Sequence, residues 1–218
     1  PEHVRYQNGS LGGVVSALQT LVQPGGPVLV HLPNYNGFTK AIADAGCRLV
    51  GSPLVQDEAG LFRMDLADME ERILAEGIRC LLFCSPHNPT GRVWEREELE
   101  GMCALCERLG VAIISDEVWA DFVFAPARHI STAQISDYAR RSTITLNGAS
   151  KTFNLAGLHT SYSIVYDQAL RERYHQASAA SHYSAPNTLS VAALIGAYTG
   201  GHQYVDELVA YIRQNMEL

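Results

Sequence analysis

The chain has 218 residues, of which 47% are hydrophobic and 18% are charged, and its formal net charge is -7. This composition is typical of a globular domain and argues against a disordered, fibrous or membrane-embedded chain. The negative net charge argues against nucleic-acid binding, because phosphate contacts need clustered Lys and Arg side chains. The length suits one large domain, so we expect residues 1–218 to share a single core.

The cysteines and the first residues bear on the cellular compartment. Five cysteines are an odd number and predict reduced thiols rather than a disulfide framework. Cys103 and Cys106 have C-x-x-C spacing, but the stretch around them has a helical pattern and no second pair follows at zinc-finger distance, so we expect no metal site. The start, PEHVRYQNGS, lacks the pattern of a secretory leader. These features predict a cytoplasmic location.

Strands and helices alternate along the chain, with short breaks at Gly and Pro. Apolar runs predict six strands, in chain order 28–32, 48–53, 80–84, 111–115, 143–146 and 161–165. Helical periodicity predicts seven helices, in chain order 13–22, 37–45, 65–76, 96–109, 168–180, 189–198 and 204–215. This alternation favours an α/β fold of three layers, α/β/α, with a mostly parallel central sheet.

Side chains with useful chemistry follow several predicted strands. Tyr35 follows the first strand, Asn88 the third, Asp116 and Trp119 the fourth, and Lys151 the fifth. Because ligands bind at the carboxyl ends of the strands in parallel sheets, we expect these side chains to lie close together.

This set of side chains suits pyridoxal 5'-phosphate. A lysine amine such as that of Lys151 forms a Schiff base with an aldehyde. A buried carboxylate needs a cationic partner, and the protonated ring nitrogen of the cofactor would supply one to Asp116. Asn88 can donate a hydrogen bond to the ring oxygen, and Tyr35 can stack on the ring.

A phosphate site is predicted near the start of the chain. The stretch SLGGVVSAL contains a Gly-Gly pair, which we interpret as a turn that enters a helix at Gly13. The backbone N–H groups of Val14 and Val15 would then lie at a helix start, where such groups bind phosphate.

Each of these residues alone also has an ordinary structural interpretation. Pro89 and Gly91 could simply form a turn, Asp116 could cap the segment that follows it, and Lys151 could be a solvated loop residue. It is their order along the chain, each at a strand end, that favours the cofactor.

Three motifs, SPHNPTGRVW, ISDEVWADFVF and SKTFNLAGL, resemble the class I/II aminotransferase superfamily of fold-type I pyridoxal-phosphate enzymes. They are more closely similar to its cystathionine β-lyase-like branch, the MalY/PatB type of carbon–sulfur lyase. The resemblance implies that Lys151 is the Schiff-base lysine, that Asp116 pairs with the ring nitrogen and that Asn88 binds the ring oxygen. It also implies that Ser150 offers a hydroxyl to the phosphate.

Three positions depart from the pattern of that superfamily. Trp119 stands where many members have tyrosine or histidine, and indole donates a hydrogen bond but is not a phenol. His159 stands where many members have an arginine that binds phosphate, and imidazole is a weaker partner. Gly148 stands where serine is frequent. We therefore expect either a reduced cofactor affinity or support for the phosphate from elsewhere.

The resemblance implies a large, cofactor-binding domain over residues 1–218. Members of the superfamily also have an N-terminal arm and a small C-terminal domain, which we expect to be absent from this chain. The implied activity is that of an enzyme acting on a small amino-acid substrate as a homodimer, with no nucleic acid and no membrane as partners. A C–S β-lyase that releases pyruvate and ammonia is favoured. The alternatives are an aminotransferase and a truncated, non-catalytic cofactor-binding or interaction domain.

Overall fold

The computed structural model describes residues 2–182 and 184–218. The strands are β1 (Val4–Asn8), β2 (Pro27–Leu32), β3 (Arg48–Pro53), β4 (Val55–Gln56), β5 (Phe62–Arg63), β6 (Cys80–Cys84), β7 (Ala112–Asp116), β8 (Thr143–Asn147) and β9 (Thr160–Ile164). The helices are α1 (Ser10–Leu21), α2 (Asn36–Asp44), α3 (Leu66–Glu76), α4 (Arg96–Leu109), α5 (Asp137–Ser142), α6 (Ala149–Thr152), α7 (Gln168–Ala180), α8 (Thr188–Gly200) and α9 (His202–Met216).

Seven strands form one sheet in the order β1-β9-β8-β7-β6-β2-β3. Five neighbouring strands of this sheet, β8, β7, β6, β2 and β3, are parallel, whereas β9 is antiparallel to both β8 and β1. β4 and β5 form a separate antiparallel pair. The predicted mostly parallel sheet is confirmed, and the carboxyl ends of its central strands meet at one edge.

The sheet separates two hydrophobic clusters, which makes three layers. One cluster joins the sheet to α1, α2 and α7 through buried side chains such as Leu18, Phe38 and Tyr174. The other joins the sheet to α3 and α4 through side chains such as Met69 and Leu99. The central strands are therefore covered on both faces, as their continuous apolar sequences predicted.

Local capping signals explain why α3 and α4 lie close to the predicted positions. The Asp65 side chain accepts hydrogen bonds from two backbone N–H groups at the start of α3, and Gly77 ends that helix with a φ of 64°. Glu95 and Glu98 form a capping box at the start of α4, and Gly110 ends it with a φ of 66°.

The sequence-based prediction was incomplete, since it lacked β1, β4, β5, α5 and α6, and it was wrong at the start of α1. β1 was missed because its alternating sequence, VRYQN, lies at the sheet edge and buries only Gln7 completely. The predicted start of α1 at Gly13 was wrong, because the helix begins at Ser10. Gly13 lies inside the helix, where an added Cβ would be 2.7 Å from Cδ2 of Leu146 on β8. The glycine serves close packing against the sheet, and it does not form a turn.

All five cysteines are free. Within 2–182 and 184–218, no helix has the length and apolar character needed to span a lipid bilayer. Over the same ranges, no group of three or more His, Cys, Asp and Glu side chains is arranged to hold a metal ion.

Candidate functional site at the strand ends

A cavity of about 400 Å³ opens at the carboxyl ends of the parallel strands. Its walls come from the start of α1 and from the segments that follow β2, β6, β7 and β8. Seven of the residues singled out from the sequence line it: Tyr35, Asn88, Asp116, Trp119, Ser150, Lys151 and His159. The parallel sheet thus brings together groups that are up to 124 positions apart in the chain, from Tyr35 to His159.

Asp116 is the last residue of β7 and is only 4% exposed. Its Oδ1 atom accepts a hydrogen bond from the backbone N–H of Val118 at 3.2 Å. Burial raises the pKa of Asp116 to about 6, and the nearby Glu117 adds to the rise. The Val118 hydrogen bond and the positive charge of Lys151 act in the opposite direction without cancelling it. The cavity therefore contains a carboxyl group that needs a nearby cation to remain ionised at low cost.

Glu117 turns away from the cavity into a buried network that sequence reasoning missed. Its Oε1 atom accepts hydrogen bonds from Ser115 Oγ at 2.9 Å, Ser131 Oγ at 3.2 Å and the backbone N–H of Thr132 at 3.0 Å. Its Oε2 atom lies 3.0 Å from Nε2 of His129. This network fixes the backbone where β7 ends. Most of its partners lie 12 or more residues downstream, where no local signal identifies them.

Asn88 lies in the loop after β6, and short-range contacts hold that loop in place. The backbone N–H of Asn88 donates to Sγ of Cys84 at 3.4 Å. Trp94 donates from Nε1 to the Cys84 carbonyl oxygen at 2.9 Å, and His87 Nδ1 lies 2.7 Å from Thr90 Oγ1. These contacts fix the backbone that presents the Asn88 side chain to the cavity.

Cys84 is a cavity residue that sequence reasoning assigned only to a buried strand. It pairs with Asp116 across β6 and β7, and it is 6% exposed. Burial, together with the Asp116 charge, raises the pKa of the thiol. Cys84 is the last residue of the predicted strand 80–84, so its position at the cavity could have been predicted from that strand end. The thiol is a protonated, apolar part of the wall.

Lys151 follows β8 on the four-residue helix α6, where the sequence predicted only a strand end. Its Nζ atom lies 5.4 Å from the centroid of the Trp119 ring. A cation at this distance is attracted by the face of an indole. Trp119 also packs against Phe122, with ring centroids 5.3 Å apart. The tryptophan that departs from the superfamily pattern is therefore a contact of the lysine amine.

The start of α1 forms part of the cavity wall. Gly9 is the N-cap residue, with a φ of 81°, and the backbone N–H of Gly13 donates to its carbonyl oxygen. By helix geometry the N–H groups without an intrahelical acceptor are those of the first three helical residues, Ser10, Leu11 and Gly12. All three line the cavity.

The prediction that used Gly13, Val14 and Val15 is corrected accordingly. Val14 is fully buried, and none of the three is among the described residues that line the cavity. The early helix start places their N–H groups inside the helix, where each has an acceptor four residues earlier.

The surroundings of His159 and Gly148, two departures from the superfamily pattern, are visible in the structure. His159 has a φ of 50°, and its Nδ1 atom lies 3.7 Å from where a Cβ of Gly9 would be. The imidazole therefore lies beside the start of α1. A Cβ on Gly148 would lie 2.8 Å from the carbonyl oxygen of Thr160 on β9. Serine does not fit there unless the backbone moves, so glycine is explained by packing.

The chain is similar to known proteins over its whole length. The model of the family described as aminotransferase class I and II matches residues 1–218. The cystathionine beta-lyase PatB of Bacillus subtilis (strain 168) is 32% identical over 216 residues, which cover 99% of this chain and 56% of PatB. The probable N-succinyldiaminopimelate aminotransferase DapC of Mycobacterium tuberculosis is 38% identical over 149 residues, covering 68% of this chain and 37% of DapC.

A solved structure has the same fold. Cystalysin from Treponema denticola, whose structure contains a pyridoxal 5'-phosphate cofactor, is 27% identical with a TM-score of 0.94. The match covers 99% of this chain and 55% of the cystalysin chain. The chain spans about half the length of the curated relatives it matches first.

Proposed function

Since the chain belongs to the aminotransferase class I and II family, we propose that it holds pyridoxal 5'-phosphate in the strand-end cavity and acts on amino acids, with cleavage of a carbon–sulfur bond as the favoured reaction. The cofactor in the cystalysin structure supports the first part of the proposal. The similarity to the cystathionine beta-lyase PatB over 99% of the chain supports the second part.

The buried Asp116 carboxyl group is the observation that carries the proposal. Among the described residues that line the cavity, Lys151 is the one Lys or Arg, and its charge does not offset the burial of Asp116. A further cation beside Asp116 would lower the cost of ionising it. A protonated pyridine nitrogen is such a cation, and it is also a hydrogen-bond donor, so the residues present fit the cofactor.

The remaining cavity residues suit the other parts of the cofactor. Tyr35, with 38% of its surface exposed, offers a ring face for stacking, and Asn88 offers an amide to the ring oxygen. The free N–H groups at the start of α1 and the imidazole of His159 suit a phosphate, and Ser150, which also lines the cavity, offers a hydroxyl.

Lys151 and Asp116 have separate tasks in the proposed reaction. When bound, the protonated pyridine ring of the cofactor withdraws electrons from the α-carbon of an amino acid and makes its α-proton acidic. Asp116 keeps the ring nitrogen protonated. Lys151, as a neutral amine, takes the α-proton as general base. Departure of a thiolate from the β-carbon then leaves an unsaturated amino acid, which hydrolyses to pyruvate and ammonia.

An aminotransferase is the second candidate function, and the 38% identity to the probable aminotransferase DapC favours it. Removal of the α-proton is common to both reactions, so Asp116 and Lys151 would act in the same way. The two reactions differ after that proton is removed, because an aminotransferase needs a 2-oxo acid as acceptor.

The proposal is tested by incubating the cofactor-loaded chain with cystathionine, with and without a 2-oxo acid. We expect pyruvate without an acceptor, and none from the Lys151→Ala variant. Consumption of cystathionine that depends strictly on the 2-oxo acid, with transfer of its amino group to that acid and no release of pyruvate, would reject the lyase and support the aminotransferase. A visible cofactor band that persists unchanged in Lys151→Ala would reject the covalent role of Lys151.

We further propose a homodimer in the cytoplasm, where free thiols such as the five cysteines of this chain persist. Exposed apolar side chains on α8 and α9 support a second copy as the partner: Leu189 is 70% exposed, Ile195 59% and Tyr211 61%. Exposed apolar patches mark sites of contact between chains. Sedimentation velocity should give twice the chain mass, and Leu189→Glu with Ile195→Glu should lower it. A monomer at all concentrations would contradict the homodimer.

A further inference from the structure

Lys151 lies on a helix that is too short to fix its own position. α6 contains four residues, about one turn, and so short a helix has little stability in isolation. Lys151 itself is exposed, and its amine contacts the Trp119 ring at 5.4 Å from the centroid. The position of the amine therefore depends on the contacts that the rest of α6 makes.

One side-chain hydrogen bond joins α6 to another segment in the described part of the chain. Thr152 donates from Oγ1 to Oδ2 of Asp121 at 2.6 Å. Thr152 is 1% exposed, although it directly follows the exposed Lys151. Because a β-branched side chain has few rotamers, a fixed hydroxyl also fixes the rotation of the backbone that carries it. The bond to Asp121 therefore sets the direction in which Lys151 leaves the helix.

Asp121 comes from the loop that also carries Trp119, two residues earlier. The hydrogen bond thus connects the two segments that form the contact between Lys151 and Trp119. The same loop begins at Asp116, where the Val118 N–H donates to the carboxylate. One bond therefore relates the position of the amine to that of the buried carboxyl group.

The C-terminal end of α6 is held by packing that does not involve Thr152. Phe153 lies with its ring centroid 5.4 Å from that of Tyr198 on α8 and 6.4 Å from that of Tyr204 on α9. Loss of the Thr152 hydroxyl would leave these contacts in place. We therefore expect such a change to shift α6 and to leave the domain folded.

We propose that Asp121 is a positioning residue that sets the reach of Lys151 through Thr152. The inference rests on the proposed role of Lys151 as the residue that bonds to the cofactor's aldehyde. In that step Lys151 Nζ adds to the aldehyde carbon, a C=N bond forms, and the aldehyde oxygen leaves as water. Asp121 and Thr152 contact neither the aldehyde nor the substrate in this proposal.

The experiment separates covalent capture from non-covalent binding. Capture is measured as the rate at which the visible band forms after pyridoxal 5'-phosphate is added. Non-covalent binding is measured as the Kd of pyridoxine 5'-phosphate, which lacks the aldehyde. We expect Thr152→Val to slow capture about tenfold, because small misplacements of reacting groups are costly, and to leave the Kd within about twofold.

Further variants test whether the hydrogen bond is the cause. Thr152→Ser keeps a hydroxyl and should restore most of the capture rate. Asp121→Ala should slow capture as much as Thr152→Val does, and the double variant should be no slower than either, because both changes remove the same bond. Thr20→Val is the matched control, since the Thr20 hydroxyl donates only to Ser16 within α1, and it should capture at the wild-type rate.

Each outcome decides between the two proposals. Capture through Lys151 at the wild-type rate in both Thr152→Val and Asp121→Ala would overturn the inference and leave the proposed function standing. A fall in capture rate matched by an equal loss of pyridoxine 5'-phosphate affinity would also overturn it, because that pattern indicates a merely structural role. A wild-type chain that captures no aldehyde would overturn the inference together with the proposed role of Lys151.

Discussion

The two ends of the strand-end cavity are fixed in different ways. The ring end, which we define as Asp116 and Asn88, lies at the ends of two neighbouring parallel strands. Asp116 is buried, and Asn88 is held by short-range contacts. The phosphate end, which we define as Gly9 to Gly12 with His159, is formed by a helix start and a residue with positive φ. Strand register positions the first end, whereas packing between distant segments positions the second.

This difference shows which features of a site depend on local sequence. Side chains that directly follow parallel strands lie at one edge of the sheet. Correct strand assignments are therefore enough to predict that these side chains meet. The free N–H groups of a helix depend on its first residue, and an error of three residues selects different groups. If the buried ring end controls the chemistry, changes there should have larger effects than changes at the phosphate end.

The largest effect is expected for Asp116→Asn on turnover. The amide keeps the size of the side chain but cannot hold a proton on a ring nitrogen. Loss of a group that stabilises developing charge typically lowers kcat about 10²- to 10³-fold. Steady-state rates with saturating cofactor test this, with Asp206→Asn on α9 as control. A loss of less than about tenfold would show that the ring end does not control the chemistry.

The same substitution should stabilise the protein when no cofactor is bound. The pKa of Asp116 is raised from 3.8 to about 6 in the folded state, so folding favours the protonated form. The resulting cost is absent below pH 3.8, grows as the pH rises to 6, and then stays constant at about 3 kcal/mol. Asp116→Asn removes this cost. The difference in unfolding free energy between the two proteins, measured by urea denaturation from pH 4 to pH 8, should have this pH dependence.

Added cofactor should reverse the order of stability above pH 6. The wild-type carboxylate gains a cationic partner, and the Asn variant does not. If Asp116→Asn gives no stabilisation at pH 8 without cofactor, then water already solvates the carboxyl group and burial does not raise its pKa.

The sequence was sufficient for the six strands from β9 to β3 in the sheet order, though not for the edge strand β1. It also predicted the residues of the ring end, but only part of the phosphate end. The predicted strands 48–53 and 80–84 match β3 and β6, since both strand ends are marked by polar or Gly and Pro residues. Lys151 was expected after β8, and the short helix that carries it was not, because four residues give no periodic signal. The Gly-Gly pair of α1 was misinterpreted, since the reason for Gly13 is the Leu146 side chain on a strand 133 residues later.

Gly148→Ser tests whether packing excludes any side chain at position 148. The added Cβ would lie 2.8 Å from the Thr160 carbonyl oxygen and 2.9 Å from Cα of Ser161. Backbone atoms cannot move aside as a side chain can, so we expect a loss of about 2 kcal/mol in unfolding free energy. Gly157→Ser is the matched control, nine residues further along the chain, because an added Cβ there meets nothing within 4 Å. Equal stability of the two variants would contradict this explanation.

The smallest effect is expected for His159→Ala on cofactor affinity. The three free N–H groups of α1 remain in this variant, so the phosphate loses one partner and keeps the others. We expect the Kd of pyridoxal 5'-phosphate to rise about tenfold, equivalent to about 1.4 kcal/mol, with His202→Ala on α9 as control. His159→Arg should lower the Kd, because a guanidinium binds phosphate with two hydrogen bonds and a fixed charge. A Kd that is unchanged in both His159 variants would show that the phosphate is bound by the start of α1 alone. The imidazole beside Gly9 would then have no part in cofactor binding.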